Sequence, residues 1–304
     1  MSVNLLAVGS TMTDLRMLVD PADLEHAGLT PGSSNILDME QLSSLLDRWP
    51  IGKITLGGST ANTVLKFAEL GGAVDFITAI GKDKQSAFIP KQLADSGINL
   101  LSELVDGGTG LCVVFITPDG ERTMAVAPRC AAHLVAPEVA PDRLPSYLLL
   151  EGYLLDYSPE TRDSFYATVQ WSQEVGTPLV ISLSDSALVA RHRSELSKLV
   201  LGCRPMLIGN ESEFQALFGE GSVKRLCSLD MTAAITRGSK GATVINMDNV
   251  IDVAAEPIPA SDTTGAGDAF AAGFLFGLDK GAESAARLGV DLATQHVISA
   301  SVER

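Results

Sequence analysis

The sequence predicts an α/β protein, with a mostly parallel central sheet, helices on both of its faces, and a small β-sheet lid. Three observations predict it. From Tyr147 onward, short apolar runs alternate with helix-length segments, the pattern of a parallel sheet covered on both sides. Residues 111–117 and 121–126 are β-rich runs joined by Pro118-Asp119-Gly120, a hairpin signal that interrupts the parallel pattern. Residues 20–48, with Pro21, Pro31 and Gly32, interrupt it as well. The 304 residues are expected to form one domain, 1–304, with a discontinuous lid drawn from about 11–50 and 108–128.

Taken in order, Val3–Val8 is a buried strand ending at Gly9-Ser10, with Asp14 and Arg16 just beyond it. Gly57-Gly58-Ser59-Thr60-Ala61-Asn62-Thr63 opens a helix with an apolar face of Ala61, Val64, Leu65 and Ala68, stopped by Gly71-Gly72. Val74–Ile80 is the next buried strand, and Gly81-Lys82-Asp83 follows it. Beyond the hairpin, strands are expected at Tyr147–Leu150, Leu179–Leu183, Met206–Gly209 and Thr232–Thr236. The helices between them are expected at 160–175, Ala187–Leu201 and Glu211–Leu217. Ala242–Asn246 and Val250–Ala254 flank a turn at Met247-Asp248-Asn249. Ala269–Leu278 is apolar on nearly every side and reads as a helix buried all round, and a last helix spans 282–299. Asp14, Asp83, Asp185, Asn210 and Thr236 follow strand ends, where open parallel sheets bind their ligands.

Composition narrows the function. Apolar residues make up 46% and charged residues 19%, enough for a sizeable core. The net charge of −15, with no Lys/Arg cluster, argues against nucleic acid and anionic membranes as partners. Cys112, Cys130, Cys203 and Cys227 have no metal-site spacing and read as reduced thiols. No apolar stretch is long enough to span a membrane, and the first residues lack the pattern of a signal peptide. A cytoplasmic protein is expected. A dinucleotide fingerprint fails, because Phe270 stands where the third glycine after Gly265 and Gly267 belongs. No G-x-x-x-x-G-K-[ST] string is present either.

Asp262-Thr263-Thr264-Gly265-Ala266-Gly267-Asp268 precedes the buried helix. Glycines at a helix start bare its first N–H groups, which lack intrahelical partners and sit at the positive end of the dipole. That makes an anion site, and Asp268 places a carboxylate inside it. On spacing alone the string is also compatible with a tight turn and a stabilising helix-start Asp. An enzyme that deprotonates a hydroxyl while a phosphoryl group arrives needs this combination.

The string closely resembles the C-terminal signature of the PfkB family of carbohydrate and nucleoside kinases, with the adenosine-kinase-like branch nearest. Gly57–Thr63 is similar to the family's N-terminal motif, and Asn210-Glu211-Ser212-Glu213 to its Asn-x-x-Glu motif. Thr236-Arg237-Gly238-Ser239-Lys240-Gly241-Ala242 looks like the loop that borders ATP. The resemblance implies a ribokinase-like fold and ATP-dependent transfer of the γ-phosphoryl group to a primary hydroxyl of a furanose sugar or a nucleoside such as adenosine. It implies Asp268 as catalytic base and Gly265, Ala266 and Gly267 as anion hole, with Asp14, Gly58 and Asn62 on the substrate; Arg122 in the lid is a further substrate-binding candidate, from its charge alone. It also implies Asn210, Thr236, Gly238 and Gly241 at the nucleotide, Mg²⁺ held largely through water by Glu213, and K⁺ near Asp262 and Thr264 in many members. A homodimer through the lid is a further expectation. The alternative is a non-catalytic binder of the same fold, against which the intact Asp268, Asn210 and Glu213 argue.

Two departures accompany the resemblance. Ser86 stands where relatives carry a glycine, three residues after Asp83. The lid offers only Trp49 and Phe115 as aromatics on which a purine would stack, which argues against an adenosine pocket, while Arg122 and Arg129 are groups that suit an anionic or hydroxyl-rich sugar instead.

Overall fold

β1 (Asn4–Val8) is buried at every residue, as an apolar strand covered on both faces must be. The computed structural model describes residues 3–48, 54–84, 86–102, 104–118, 121–135, 144–247, 249–258 and 263–302. After β1 the chain leaves the main sheet for β2 (Met12–Leu18), α1 (Pro21–His26), β3 (Ser34–Ile36), α2 (Met39–Leu46) and β4 (Ile54–Gly57). It returns through α3 (Ser59–Glu69), β5 (Ala73–Ile77), α4 (Ile89–Asp95) and β6 (Ile98–Leu100). A second excursion makes β7 (Gly110–Ile116) and β8 (Arg122–Ala127).

The alternation then becomes regular. β9 (Tyr147–Glu151), α5 (Leu154–Tyr157), α6 (Pro159–Val175), β10 (Leu179–Ser182), α7 (Ser186–Arg191) and α8 (Arg193–Cys203) follow. β11 (Met206–Asn210), α9 (Glu211–Phe218), α10 (Ser222–Ser228) and β12 (Thr232–Thr236) come next. The chain closes with β13 (Ala242–Asn246), β14 (Asn249–Val253), α11 (Ala266–Gly277) and α12 (Ala282–Val302).

Among the described residues, nine strands form the large sheet in the order β14-β13-β12-β11-β10-β9-β1-β5-β6. It is parallel from β12 to β6, and β13 and β14 add an antiparallel edge. Hydrophobic clusters cover both of its faces. The lid is a five-stranded sheet, β3-β8-β7-β2-β4, built from both excursions. Along β7 the side chains alternate as the pleat dictates. Leu111, Val113 and Phe115 enter the lid core, while Cys112, Val114 and Ile116 join the cluster on the other face.

Local chemistry sets the element ends. Ser158 and Thr161 cap α6 reciprocally, and Gly176 stops it in the left-handed conformation. α11 packs between α3 and α12 at short range, because glycines face its neighbour: a Cβ at Gly273 would lie 2.8 Å from the Leu288 carbonyl oxygen. The expected single helix over Ala187–Leu201 is two, α7 and α8, broken at His192, whose Nε2 pairs with Asp156 Oδ1 at 2.6 Å. Sequence pattern also missed α4, α10 and the lid elements within 12–57, where polar and apolar residues mix without a clean helix or strand period. Asp14 is not a residue just past a main-sheet strand: it lies within β2, in the lid. Among the described residues, no helix is long and apolar enough to cross a membrane.

Candidate active site

α11 begins at Gly265, whose φ of 78° is the left-handed conformation that glycine adopts without strain. Ala266 N–H turns back to the Thr263 carbonyl at 3.2 Å, and Ala269 N–H bonds the Gly265 carbonyl at 2.9 Å. Among the described residues the first-turn N–H groups of Gly267 and Asp268 have no acceptor, the condition under which the positive end of a helix can receive an anion. Asp268 points from this turn towards α3. Ser59 Oγ donates to its Oδ1 at 2.7 Å and Asn62 Nδ2 to its Oδ2 at 3.0 Å. Burial raises the Asp268 pKa above the ordinary carboxylate value, against the pull of these two donors and of the His296 and Arg122 charges.

The turn separates two cavities. On one side, Thr264, Gly265 and Asp268 line a cavity of about 190 Å³ beneath the lid, together with Asp14, Gly58, Asn62 and Arg122. On the other, Thr263, Ala266 and Gly267 line a cavity of about 290 Å³ with Asn210, Thr236, Gly238 and Gly241. Every expected substrate residue therefore falls on one side and every expected nucleotide residue on the other.

The lid-side cavity is built by close approaches. Gly58 caps α3 at φ 98°, and a Cβ there would sit 2.5 Å from the Ser10 carbonyl oxygen. At Gly57 a Cβ would occupy the position of the Asp14 carboxylate, 1.9 Å from Oδ1. Asp14 Oδ1 is buried without a hydrogen-bond partner among the described residues, and burial, with some repulsion from Asp268, raises its pKa to about 7 despite nearby Arg16. A buried acceptor in that condition calls for a donor from a ligand. The far wall is apolar: Met12, Cys112, Val114, Met124 and Val126, with Tyr153 and Tyr157. The two tyrosines stack on each other, with centroids 6.2 Å apart.

One of the two aromatics expected from the lid is elsewhere. Phe115 is fully buried in the lid core, and Trp49 lies outside the described residues. Arg129 turns away, donating from Nη1 to the Thr109 carbonyl at 3.0 Å. Arg122 lines the cavity and donates from Nη2 to Thr263 Oγ1 at 2.7 Å. Ser86 is buried in the turn after β5, its N–H bonded to Asp83 Oδ1 at 3.0 Å, and it lines neither cavity. Tyr153, Tyr157 and Ser59 escaped the sequence reading. The tyrosine spacing of four was the one available signal, since it puts both rings on one helix face.

On the nucleotide side, the loop from Thr236 to Ala242 is pinned at Gly241, where φ is 91° and a Cβ would meet the Val253 carbonyl oxygen at 2.0 Å. Thr236 Oγ1 donates to the Gly209 carbonyl at 3.3 Å, joining the ends of β11 and β12. Val290, Ala293 and Val297 of α12 supply an apolar wall. Asn210 and Glu213 form a reciprocal cap on α9: Asn210 Oδ1 accepts Glu213 N–H at 2.9 Å, and Glu213 Oε2 accepts Asn210 N–H at 2.9 Å. Asn210 Nδ2 also donates to Glu213 Oε1 at 2.7 Å. Burial, with the nearby Asp185 and Asp268 charges, raises the Glu213 pKa to about 7. With both oxygens already engaged, this carboxylate suits Mg²⁺ held through water, the mode in which that ion keeps much of its hydration. Asp262 lies outside the described residues, and the Thr264 carbonyl lies 2.6 Å from His296 Nε2.

The model of the pfkB family of carbohydrate kinases matches residues 44–302. The chain belongs to the PfkB family. Adenosine kinase from Saccharomyces cerevisiae is 26% identical over 316 residues, covering 92% of this chain and 90% of that protein. Aminoimidazole riboside kinase from Salmonella typhimurium is 25% identical, covering 74% of each. The crystal structure of adenosine kinase from Sinorhizobium meliloti superposes with a TM-score of 0.91 at 27% identity, covering 98% of this chain and 94% of that one. This PfkB-family chain is thus a sugar or nucleoside kinase similar to the adenosine kinases, and its family implies ATP, normally with Mg²⁺, as phosphoryl donor.

Proposed function

We propose that the chain transfers the γ-phosphoryl group of ATP to a primary hydroxyl of a nucleoside. The observation that carries this reading is the α11 turn between the two cavities, with Asp268 facing one and Gly267 the other. A hydroxyl held under the lid reaches Asp268, while the phosphoryl group approaches from the side of Gly267. A nucleoside is favoured over a free sugar because the lid-side cavity has two chemistries. Asp14, Gly58 and Asn62 offer polar contacts for a ribose, and Met12, Val114 and Val126 offer an apolar wall for a base.

In this mechanism Asp268 accepts the proton of the attacking hydroxyl, while Ser59 and Asn62 hold both carboxylate oxygens in place. The N–H groups of Gly267 and Asp268 lie where charge develops on the moving phosphoryl group. Arg122 brings a positive charge from the lid to the same place. Asn210 and Glu213 would hold Mg²⁺ through water, and the ion would supply positive charge against the phosphates. Asp14 accepts hydrogen bonds from ribose hydroxyls. K⁺ near Asp262 and Thr264 belongs to this reading as a family expectation, checked by exchanging K⁺ for tetramethylammonium in the assay.

The decisive experiment incubates the protein with Mg²⁺, ATP and, separately, purine nucleosides, pyrimidine nucleosides and free furanoses, following ADP and the ³¹P spectrum of the product. A 5′-monophosphate formed faster from a nucleoside than from any free sugar is the expected result. Equal or faster turnover of a free sugar overturns the nucleoside assignment, and ATP consumption with none of them overturns the acceptor class.

A further inference from the structure

Glu151 has no role in the mechanism above, yet it is the fully buried carboxylate at the C-terminal end of β9. An unpaired charge there would be costly, and Glu151 is not unpaired. Its Oε1 accepts Ser10 N–H at 2.7 Å. Its Oε2 accepts Thr60 N–H at 3.1 Å and Thr60 Oγ–H at 2.5 Å. One carboxylate thereby joins three pieces of chain: the end of β9, the exit from β1 and the first turn of α3.

The arrangement answers a local deficit. A helix start needs acceptors for its first N–H groups, and the cap residue usually supplies one from its own side chain. Gly58 caps α3 and has no side chain to offer. It cannot be replaced by a capping residue, because a Cβ would strike the Ser10 carbonyl oxygen. The acceptor comes instead from β9. Room for it is made at Gly9, where a Cβ would lie 2.0 Å from Thr60 Oγ1 and 2.9 Å from the Glu151 carboxyl carbon.

Thr60 is flanked by the two residues that hold the base. Ser59 precedes it and Asn62 follows two places later, and both donate to Asp268. We infer that Glu151 is a positioning residue for phosphoryl transfer: it fixes the first turn of α3 against the sheet, and so fixes the two donors that orient and hold the Asp268 carboxylate. Glu151 touches neither reacting group and lines neither cavity. The inference rests on the reading of Asp268 as catalytic base.

Three variants test it. Glu151→Gln keeps the shape but turns an N–H₂ group towards one of the donors. Thr60→Val removes the hydroxyl contact alone, and Thr60→Ser restores it. Loosened Ser59 and Asn62 donors favour the protonated form of Asp268, so the acid limb of kcat/KM should move to higher pH in Glu151→Gln and Thr60→Val. It should return to the wild-type position in Thr60→Ser. kcat should fall on the order of 10-fold or more, with little change in nucleoside KM, as expected for a misplaced base. The other charged groups acting on Asp268, namely Asp14, Glu213, Arg122 and His296, are unaltered in all three variants. All assays are run well below each variant's unfolding midpoint.

A ¹³C titration of the Asp268 carboxyl, assigned with Asp268→Asn, measures the same shift without turnover. It separates failure of this inference from failure of the proposed activity. A raised Asp268 pKa in Glu151→Gln and Thr60→Val, restored in Thr60→Ser, supports the inference. A lowered melting temperature with unmoved Asp268 titration and unchanged kcat overturns it and leaves Glu151 a structural residue. A raised KM alone overturns it in favour of a substrate contact.

Discussion

Arg122 on β8 donates a hydrogen bond at 2.7 Å to the hydroxyl of Thr263, 141 positions further along the chain, and so ties the lid to the loop that opens α11. The guanidinium is the lid's cationic contribution beside Asp268 and the open N–H groups of the helix start. Arg122→Met is expected to lower kcat about 10²-fold, as loss of one charged donor to a developing anion does. Arg122→Lys should recover part of the rate, since it restores the charge but not the planar fork. Steady-state rates at saturating ATP and nucleoside measure both.

Asp268→Asn removes the base and keeps the shape. Turnover should fall about 10²–10⁴-fold, with the unfolding midpoint little changed or raised, because a buried carboxylate has been replaced by a neutral amide. Near wild-type ADP release from this variant would remove Asp268 from the mechanism.

Stability should depend on pH in two opposing ways. Asp14 and Glu213 are raised from the ordinary carboxylate range to about 7. Between pH 4 and 7 the folded protein therefore binds more protons at these sites than the unfolded chain, and their contribution is lost as pH rises through 7. Asp156 behaves conversely. Burial would raise its pKa, but the hydrogen bonds and charges of Arg191 and His192 outweigh that and lower it. Its contribution is present above the ordinary Asp value and disappears as pH falls through its lowered one. Urea titrations of the ligand-free protein from pH 4.5 to 8 should show falling stability towards the alkaline end, and Asp14→Asn should flatten that fall.

Glu213→Gln should raise the Mg²⁺ concentration needed for half-maximal rate about 10–100-fold, the usual consequence of altering a group that orients the metal's waters. Glu213 also caps α9, so some loss of stability accompanies it. A Mg²⁺ titration with calorimetry of the same samples separates the two effects.

Gly58→Ala places a Cβ 2.5 Å from the Ser10 carbonyl oxygen at a φ of 98°. Backbone strain and overpacking each cost about 1–3 kcal/mol. The variant should be less stable in urea and should bind nucleoside more weakly, because the start of α3 floors the cavity.

Much of this was legible in the sequence because the signals were local. Gly265, Gly267 and Asp268 announce a helix start with an acid in it, and the alternation from Tyr147 onward announces the parallel sheet. β7 and β8 pair antiparallel, as the hairpin signal predicts, while Asp119 and Gly120 of the turn lie outside the described residues. What stayed hidden depends on partners far away in the chain. Glu151 ends an apolar run as if it were a simple turn residue, and only its bonds to Ser10 and Thr60 give it meaning. Phe115 looked available for stacking, but strand alternation sends it into the lid core, and the cavity's rings come from α5 and the residue before it. Asp14 looked like the end of one sheet and belongs to the other, because β2 begins only four residues after β1 ends.

That short passage has a mechanical consequence. The chain crosses between sheet and lid at residues 9–11, 57–58, 108–109 and 127–128. Glu151 anchors the first crossing, and Asp83 Oδ2, accepting Thr109 N–H at 2.7 Å, anchors the third. Asp14 and Gly58 stand at or just beyond the first two. On the proposed reading of Asp14 and Gly58 as substrate contacts, any movement of the lid about these crossings also moves the groups that hold the ligand. A substitution that stiffens the crossings is then expected to slow product release, which pre-steady-state kinetics would measure.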